Sequence, residues 1–446
     1  MMDFKISLLF GFCIGVLFVN WYNNFTLLYA TILIYALYSL LERPINAWLE
    51  RNFLLKQPVY SPQRGEHDKR RTMTYPDPIA NSWYHLCDSS ELPHGKVLEV
   101  RALGQTFVLW RTEEGQPVCQ DAYCIHVGAN LAVGGTIKDN CIQCPFHHWK
   151  FAADGTVKEI PYLDKPHECM VSRKLKTYEC IDWCGLVVVY FHADGATSES
   201  QGFNMPKFVP EELKRDNWQP HLKWDLGFKT LTPVDWVDQS GDHAHFNTLH
   251  AEFLIPWTMI PIPKWLKTIF PVGISHYLKT YLGDDKEWAE IVEKTGYGEV
   301  NKNYIFFTDL AGITWKNKPV ETSLSQTLEL FIGPAMMVFN IPFTIGTFKV
   351  FVTTTPVEGG SIMKVRTWTD GRTNSSYMKK WLAWILSGVS ASQLMSDIDI
   401  MCNKIRQRKP ILVKGDGPYN RTNSWAHQFY SASSSKVSSC AYKNDW

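Results

Sequence analysis

The chain has 446 residues, with 45 Lys plus Arg against 44 Asp plus Glu, for a formal net charge of +1. That balance supplies no field for a polyanion, so nucleic acid is excluded as a partner. An apolar share of 45%, an aromatic share of 14% and eleven thinly spread cysteines exclude both global disorder and a secreted disulfide scaffold.

The first element is apolar. From Ile6 to Leu41 there are 36 residues without a charge, split at Asn20-Trp21-Tyr22-Asn23-Asn24 into runs of 14 and 17. Each run is slightly short of the roughly 20 residues a bilayer crossing needs, so residues 1–44 are expected to form a membrane anchor, as a hairpin or a single span. A cleaved signal peptide would not continue at once into a second apolar run. Arg43, Arg51, Lys56 and Lys69-Arg70-Arg71 follow, which places the remainder on the cytoplasmic side, with the endoplasmic reticulum as the expected membrane.

Pro58, Pro62, Pro76 and Pro78 mark residues 45–80 as an extended linker. Short strand-like runs such as Leu98–Arg101, Phe107–Trp110 and Gly185–His192 alternate with glycine turns, giving a small all-β domain over 81–194. The polar stretch Asp194–Gly202 is its boundary. Residues 203–430 mix types, with helices expected near 235–250 and 376–405 and strands at 326–340, 344–356 and 361–370, which makes the fold class α+β with an antiparallel sheet. The Ser-rich end, 431–446, is expected to be a flexible tail.

Two constellations carry chemistry. Cys124-Ile-His126 and Cys144-Pro-Phe-His147 are separated by 17 residues in the β-domain. Two thiolates for one iron and two imidazoles for the other is the ligand set of a Rieske [2Fe-2S] cluster. A zinc site from Cys124, His126, Cys141 and Cys144 would leave His147 without a role. The second is Asp238-Gln-Ser-Gly-Asp242-His-Ala-His245-Phe-Asn-Thr-Leu-His250, in which His245 and His250 have the residue types for two legs of a two-histidine, one-carboxylate Fe(II) site. On an ideal helix their imidazoles splay by about 140°, so they converge only if the helix is locally distorted. Asp397 is the expected third leg, because Ile400 three residues on shares its face, whereas Asp399 lies about 200° away. His243 is expected to be structural.

The order of anchor, Cys-His loops, His245-x4-His250 and late Asp resembles the Rieske non-haem iron oxygenases, and more narrowly the Neverland-type cholesterol 7-desaturases. The resemblance spans about 83–431. It is tightest at Gly95–Val100, Gly104–Phe107, Asp121–Gly135, Lys409–Lys414 and Gln428–Ser431. It implies a helix-grip-like catalytic domain, Cys124, His126, Cys144 and His147 as cluster ligands, and His245, His250 and Asp397 as ligands of a mononuclear Fe(II). Asp242 then matches the carboxylate that links a cluster histidine of one subunit to an iron histidine of the next, in a homotrimer. Asp238-Gln239 stands where the subfamily has Glu-Asn, Met401 where it has Trp, and His148 where it has Gly.

The reaction so implied is O2-dependent conversion of cholesterol to 7-dehydrocholesterol, with desaturation at C7–C8. The rivals are hydroxylation or trimming of another sterol or lipid, and a non-catalytic membrane-bound Rieske electron carrier. No dinucleotide fingerprint and no plant-type ferredoxin cysteine run is present, so electrons from NAD(P)H are expected through a separate reductase or ferredoxin-type partner. The apolar stretch Phe253–Phe270, with two lysines near its end, is read either as an interfacial substrate door or as a covered core loop.

Overall fold

The computed structural model describes residues 79–163, 173–206, 220–283, 285–296, 300–343, 346–369, 376–407 and 409–434. The expected anchor, most of the linker and the end of the tail lie outside the described residues. Among the described residues no helix is long and apolar enough to cross a membrane.

The first half is built from strands β1 (Ser82–Asp88), β2 (Leu98–Ala102), β3 (Gln105–Arg111), β4 (Pro117–Asp121), β5 (Thr136–Lys138) and β6 (Cys141–Gln143). It continues with β7 (Lys150–Phe151), β8 (Val157–Glu159), β9 (Thr177–Tyr178), β10 (Cys180–Trp183) and β11 (Leu186–Phe191). They form three antiparallel sheets, ordered β2-β3-β4-β9, β5-β6-β7-β8 and β1-β11-β10. Every residue of β11 is buried, because Leu-Val-Val-Val-Tyr-Phe lies between two partner strands and is covered on both faces.

The second half contains β12 (Leu222–Lys229), β13 (Val272–Ser275), β14 (Leu278–Leu282), β15 (Tyr304–Trp315), β16 (Lys318–Pro319), β17 (Ser325–Ile332), β18 (Met336–Phe343), β19 (Gly346–Val357) and β20 (Gly360–Thr369). These make one antiparallel sheet of nine strands, with the path β12-β20-β19-β18-β17-β15-β13. Its helices are α1 (Pro233–Gly241), α2 (His243–Leu249), α3 (Lys264–Ile269), α4 (Lys286–Thr295), α5 (Ser376–Asn403) and α6 (Tyr419–His427).

Two expected elements are divided. The strand expected over 326–340 is a hairpin, β17 and β18, joined through Gly333, whose φ of +56° suits a residue without a Cβ. The helix expected over 235–250 breaks at Asp242, which is extended at φ −94° and ψ 90°. Gly241 lies so close to α6 that a Cβ there would sit 2.2 Å from Thr422 Oγ1. The start of the tail is packed, with Ser434 buried and its Oγ accepting from the Ser431 amide.

The large sheet is covered on both faces. On one, Thr353, Lys364 and Arg366 reach the β-domain: His85 Nδ1 bonds Thr353 Oγ1 at 3.0 Å, Lys364 Nζ donates to the Leu86 carbonyl, and Arg366 Nε donates to Asp88 at 2.7 Å. One hydrophobic core runs through both halves, and a second, smaller one lies in the β-domain around Cys124 and Cys144. On the other face Thr367 meets Ser387 of α5 at 3.1 Å, and α1 packs alongside. That second face is where the candidate iron ligands gather.

Candidate active site

The Thr232-Pro-Val-Asp235 sequence starts α1: Pro233 is at the first helical position and Asp235 accepts the Thr232 amide at 2.7 Å. All nine residues of α1 are buried, so the chain is fixed where it enters α2. His245 lies inside α2, whereas His250 caps its C-terminus at φ −100° and ψ 2°. The helix ends before the second histidine, which removes the splay expected of an ideal helix. Their rings come to 5.3 Å, centroid to centroid, at 76°.

Asp397 arrives from α5. His250 Nε2 is 3.1 Å from Asp397 Oδ1 and His245 Nε2 is 3.8 Å from it, and one ligand atom from each residue falls within 4.8 Å of the others. Among the described residues this is the group of three able to hold one metal ion. Asp397 is buried and Asp399 exposed, as expected, but for a different reason. Ile400 is itself 45% exposed; the inward face is marked by Ile398 and Met401, both fully buried. Asp397 borders that face.

The site has supporting groups whose role the sequence did not show. Gln239 Nε2 donates to Asp397 Oδ1 at 3.0 Å, which orients the carboxylate. Asp238, buried, is held by Arg406 at 2.8 Å and by Asn423 at 2.9 Å, tying α1 to the chain after α5. His276 Nδ1 pairs with Asp309 Oδ2 at 2.6 Å, and its ring centre is 6.4 Å from that of His250. Glu329, also buried, is close enough to Asp309 and Asp397 for their charges to act on it. A readable signal existed for Glu329: it is a lone charge within the apolar run Leu328-Glu329-Leu330-Phe331.

Burial lowers the His245 pKa against the opposing pull of Asp397, which favours the neutral imidazole that a metal requires. The Asp242 carbonyl, not its carboxylate, bonds His245 Nδ1; the half-buried carboxylate lies near that ring. His243 is turned away, with Nε2 on Thr280 Oγ1 at 2.7 Å.

In the β-domain the loop after β4 carries Cys124 and His126, and the loop between β6 and β7 carries Cys144 and His147. Both cysteines are buried and free of disulfides. Burial first, then the neighbouring Cys144, pushes the Cys124 thiol up to about 11. The His126 and His147 rings are 4.7 Å apart, and both Nδ1 atoms are buried without a hydrogen-bond partner. Trp149 stacks on His126 at 4.6 Å and 7°. Two paired sulfurs and two orphaned ring nitrogens are the donor set a [2Fe-2S] cluster takes. Cys141 belongs elsewhere; the charges acting on it come from Lys158, Lys150, Asp139 and Glu159, so a zinc site through it finds no support. His148, exposed, holds φ +59°, the left-handed conformation that favours glycine.

Comparison with known proteins bears on the whole arrangement. Residues 82–179 match the Rieske [2Fe-2S] domain, and residues 189–430, over half of the chain, match the 3-ketosteroid 9alpha-hydroxylase C-terminal domain. The chain belongs to the Rieske non-haem iron oxygenases. This oxygenase is similar to the cholesterol 7-desaturase of Caenorhabditis elegans, at 30% identity over 383 residues, covering 82% of this chain and 81% of that one. It is equally similar to that of Drosophila melanogaster, at 30% over 386 residues, covering 84% and 81%. In fold it resembles the terminal oxygenase of carbazole 1,9a-dioxygenase from a Novosphingobium species (TM-score 0.50, 15% identity, covering 82% of this chain and 98% of that one). This Rieske oxygenase is therefore an oxidoreductase that works with a Rieske cluster, a mononuclear iron, O2 and an NAD(P)H-linked electron supply from separate proteins.

Proposed function

We propose that this oxygenase introduces the C7–C8 double bond into cholesterol, giving 7-dehydrocholesterol. One observation carries the reading. The His245, His250 and Asp397 cluster lies over a largely apolar sheet face, in a chain that aligns across most of its length with cholesterol 7-desaturases. Cys124, Cys144, His126 and His147 hold the cluster, and His245, His250 and Asp397 hold the iron. When bound, the two centres supply one-electron transfer and O2 activation. Cholesterol gives up one hydrogen from each of C7 and C8, and these two hydrogens, together with O2, two electrons and two protons, leave as two molecules of water. The chain's own task is to hold the ring edge, because the placement of a C–H bond decides which bond reacts.

The apolar segment Ile6–Leu41 keeps the enzyme on the membrane that contains its substrate, with the endoplasmic reticulum as the site and the catalytic part toward the cytosol. The exposed Trp265, Ile269 and Phe270, on and just after α3, add a second apolar surface, whereas Trp257 earlier in the same stretch is buried. We also propose a head-to-tail homotrimer in which Asp242 links the iron site to a neighbour's cluster. A second reading, hydroxylation of a steroid, is favoured by the match of residues 189–430 to a hydroxylase domain.

Purified full-length protein with a reductase, NADPH and cholesterol decides between the two. A product two hydrogens lighter than cholesterol supports desaturation; one oxygen heavier supports hydroxylation and overturns it. His250→Ala should retain the cluster's visible absorption and lose turnover, while Cys144→Ser should lose that absorption. An active His250→Ala protein would rule out the iron assignment.

A further inference from the structure

Glu329 is a buried acid that belongs to neither metal centre. It lies on β17 opposite Phe307 of β15 and Phe339 of β18, one diagonal step from Asp309, which is opposite Thr327. Strand alternation puts Glu329, Asp309, Phe307, Phe331 and Met337 on one face of the sheet. It is the face under α5, so Glu329 shares it with Asp397, whose charge acts on it. The side chain is 8% exposed. Among the described residues no hydrogen bond to its carboxyl is found, and burial, followed by the charges of Asp309 and Asp397, pushes its pKa up to about 8. A buried, unpartnered acid in an apolar wall costs stability, and leucine or methionine would fill the place better. The cost is offset when a ligand supplies the missing partner.

We propose that Glu329 anchors the polar end of the substrate: its carboxyl exchanges hydrogen bonds with the single hydroxyl of a sterol and so sets which ring edge faces His245, His250 and Asp397. This rests on the sterol reading above. A protonated carboxyl both donates and accepts, which is the complement of an alcohol. Asp309 does not compete, because its carboxylate is already held by His276 Nδ1 at 2.6 Å and by the Tyr277 amide at 3.1 Å. The sterol hydroxyl sits in the ring next to the one containing C7. Glu329 is correspondingly one strand from the His276–Asp309 pair that borders His250. A site built to hydrogen-bond a hydroxyl discriminates strongly against an analogue lacking it, since its own polar group is then left unpaired.

The test compares cholesterol with cholest-5-ene, which lacks the hydroxyl, on full-length wild type, Glu329→Gln and Glu329→Leu. Iron content and cluster absorption serve as controls for folding. Wild type should bind cholesterol at least about tenfold more tightly than cholest-5-ene. Glu329→Leu should lose that preference by weakening cholesterol alone, and Glu329→Gln should retain part of it. Turnover should follow in KM, with products of Glu329→Leu spread over several ring positions. Wild type that binds both ligands equally, or Glu329→Leu that discriminates as wild type does, overturns the assignment. Should Glu329→Leu fail to fold, the wild-type ratio and Glu329→Gln still decide. Wild type that binds cholesterol with the expected preference but yields no desaturated product refutes the proposed reaction and leaves the anchor standing; wild type that binds neither sterol refutes both.

Discussion

Replacing Gln239 by leucine isolates one hydrogen bond on Asp397, one of the proposed iron ligands. Three groups converge on Asp397 Oδ1: Gln239 Nε2 at 3.0 Å, His250 Nε2 at 3.1 Å and His245 Nε2 at 3.8 Å. The two imidazoles compete with metal for the same region, so Gln239 is the partner that keeps the carboxylate aimed when a metal is present. A hydrogen bond to a charged acceptor contributes about 1.5–3 kcal/mol, and each 1.4 kcal/mol is roughly tenfold. Gln239→Leu should therefore weaken Fe(II) binding roughly 10- to 100-fold, the range seen when an outer partner of a ligand is removed. Stripping the mononuclear iron with a chelator and titrating Fe(II) back measures this, with the visible absorption of the Rieske cluster as an internal control. Gln239→Glu should also bind Fe(II) with altered affinity, because it places a second carboxyl against Asp397. Fe(II) affinity within a factor of two of wild type in Gln239→Leu would refute the reasoning.

Other expectations concern stability. Arg406→Leu strips the buried Asp238 of its ion-pair partner and should cost about 3–5 kcal/mol in denaturant unfolding, most of it regained in the Asp238→Asn/Arg406→Leu double variant. His148→Gly relieves a left-handed φ of +59° and should raise the midpoint for thermal loss of the cluster's absorption, by about 1 kcal/mol in stability. His85, buried against Thr353 and Asp88, has its pKa lowered from 6.5 to about 4, chiefly by burial. The unfolded chain binds the proton more readily, so this contribution is fully present above about pH 6.5 and is lost as pH falls toward 4. The loss is of the order of 3 kcal/mol, and unfolding measured at pH 7 and pH 4.5 should be flatter in a His85→Asn variant.

Much of the chemistry was legible because it depends on residue types at short spacings. Cys124-Ile-His126 and Cys144-Pro-Phe-His147 bring paired ligands on two loops, and any fold that joins those loops creates a four-donor site. The long strands at 344–356 and 361–370 and the helix α5 were equally legible, since runs such as Phe348–Val352 and the apolar length of 376–403 leave few alternatives. The errors came from local breaks. Gly333 and the Gly241-Asp242 step divide elements that looked continuous, because a positive φ at Gly333 and the close approach of Gly241 to Thr422 are set by neighbours distant in sequence.

What the sequence determined by itself was the inventory of this oxygenase: the candidate ligand residues, their order along the chain, the apolar start and the α+β pattern. Helical periodicity left His245 and His250 splayed, and it chose Asp397 by way of Ile400, which lies at the surface. Only the tertiary structure placed His250 beyond the end of α2 and brought Asp397 from 147 residues away in the chain to 3.1 Å from it. The same holds for Gln239 on Asp397 and for Glu329 beneath α5. Convergence of this kind depends on where packed layers meet, which no local spacing encodes, because the contacts join residues that the chain itself keeps far apart.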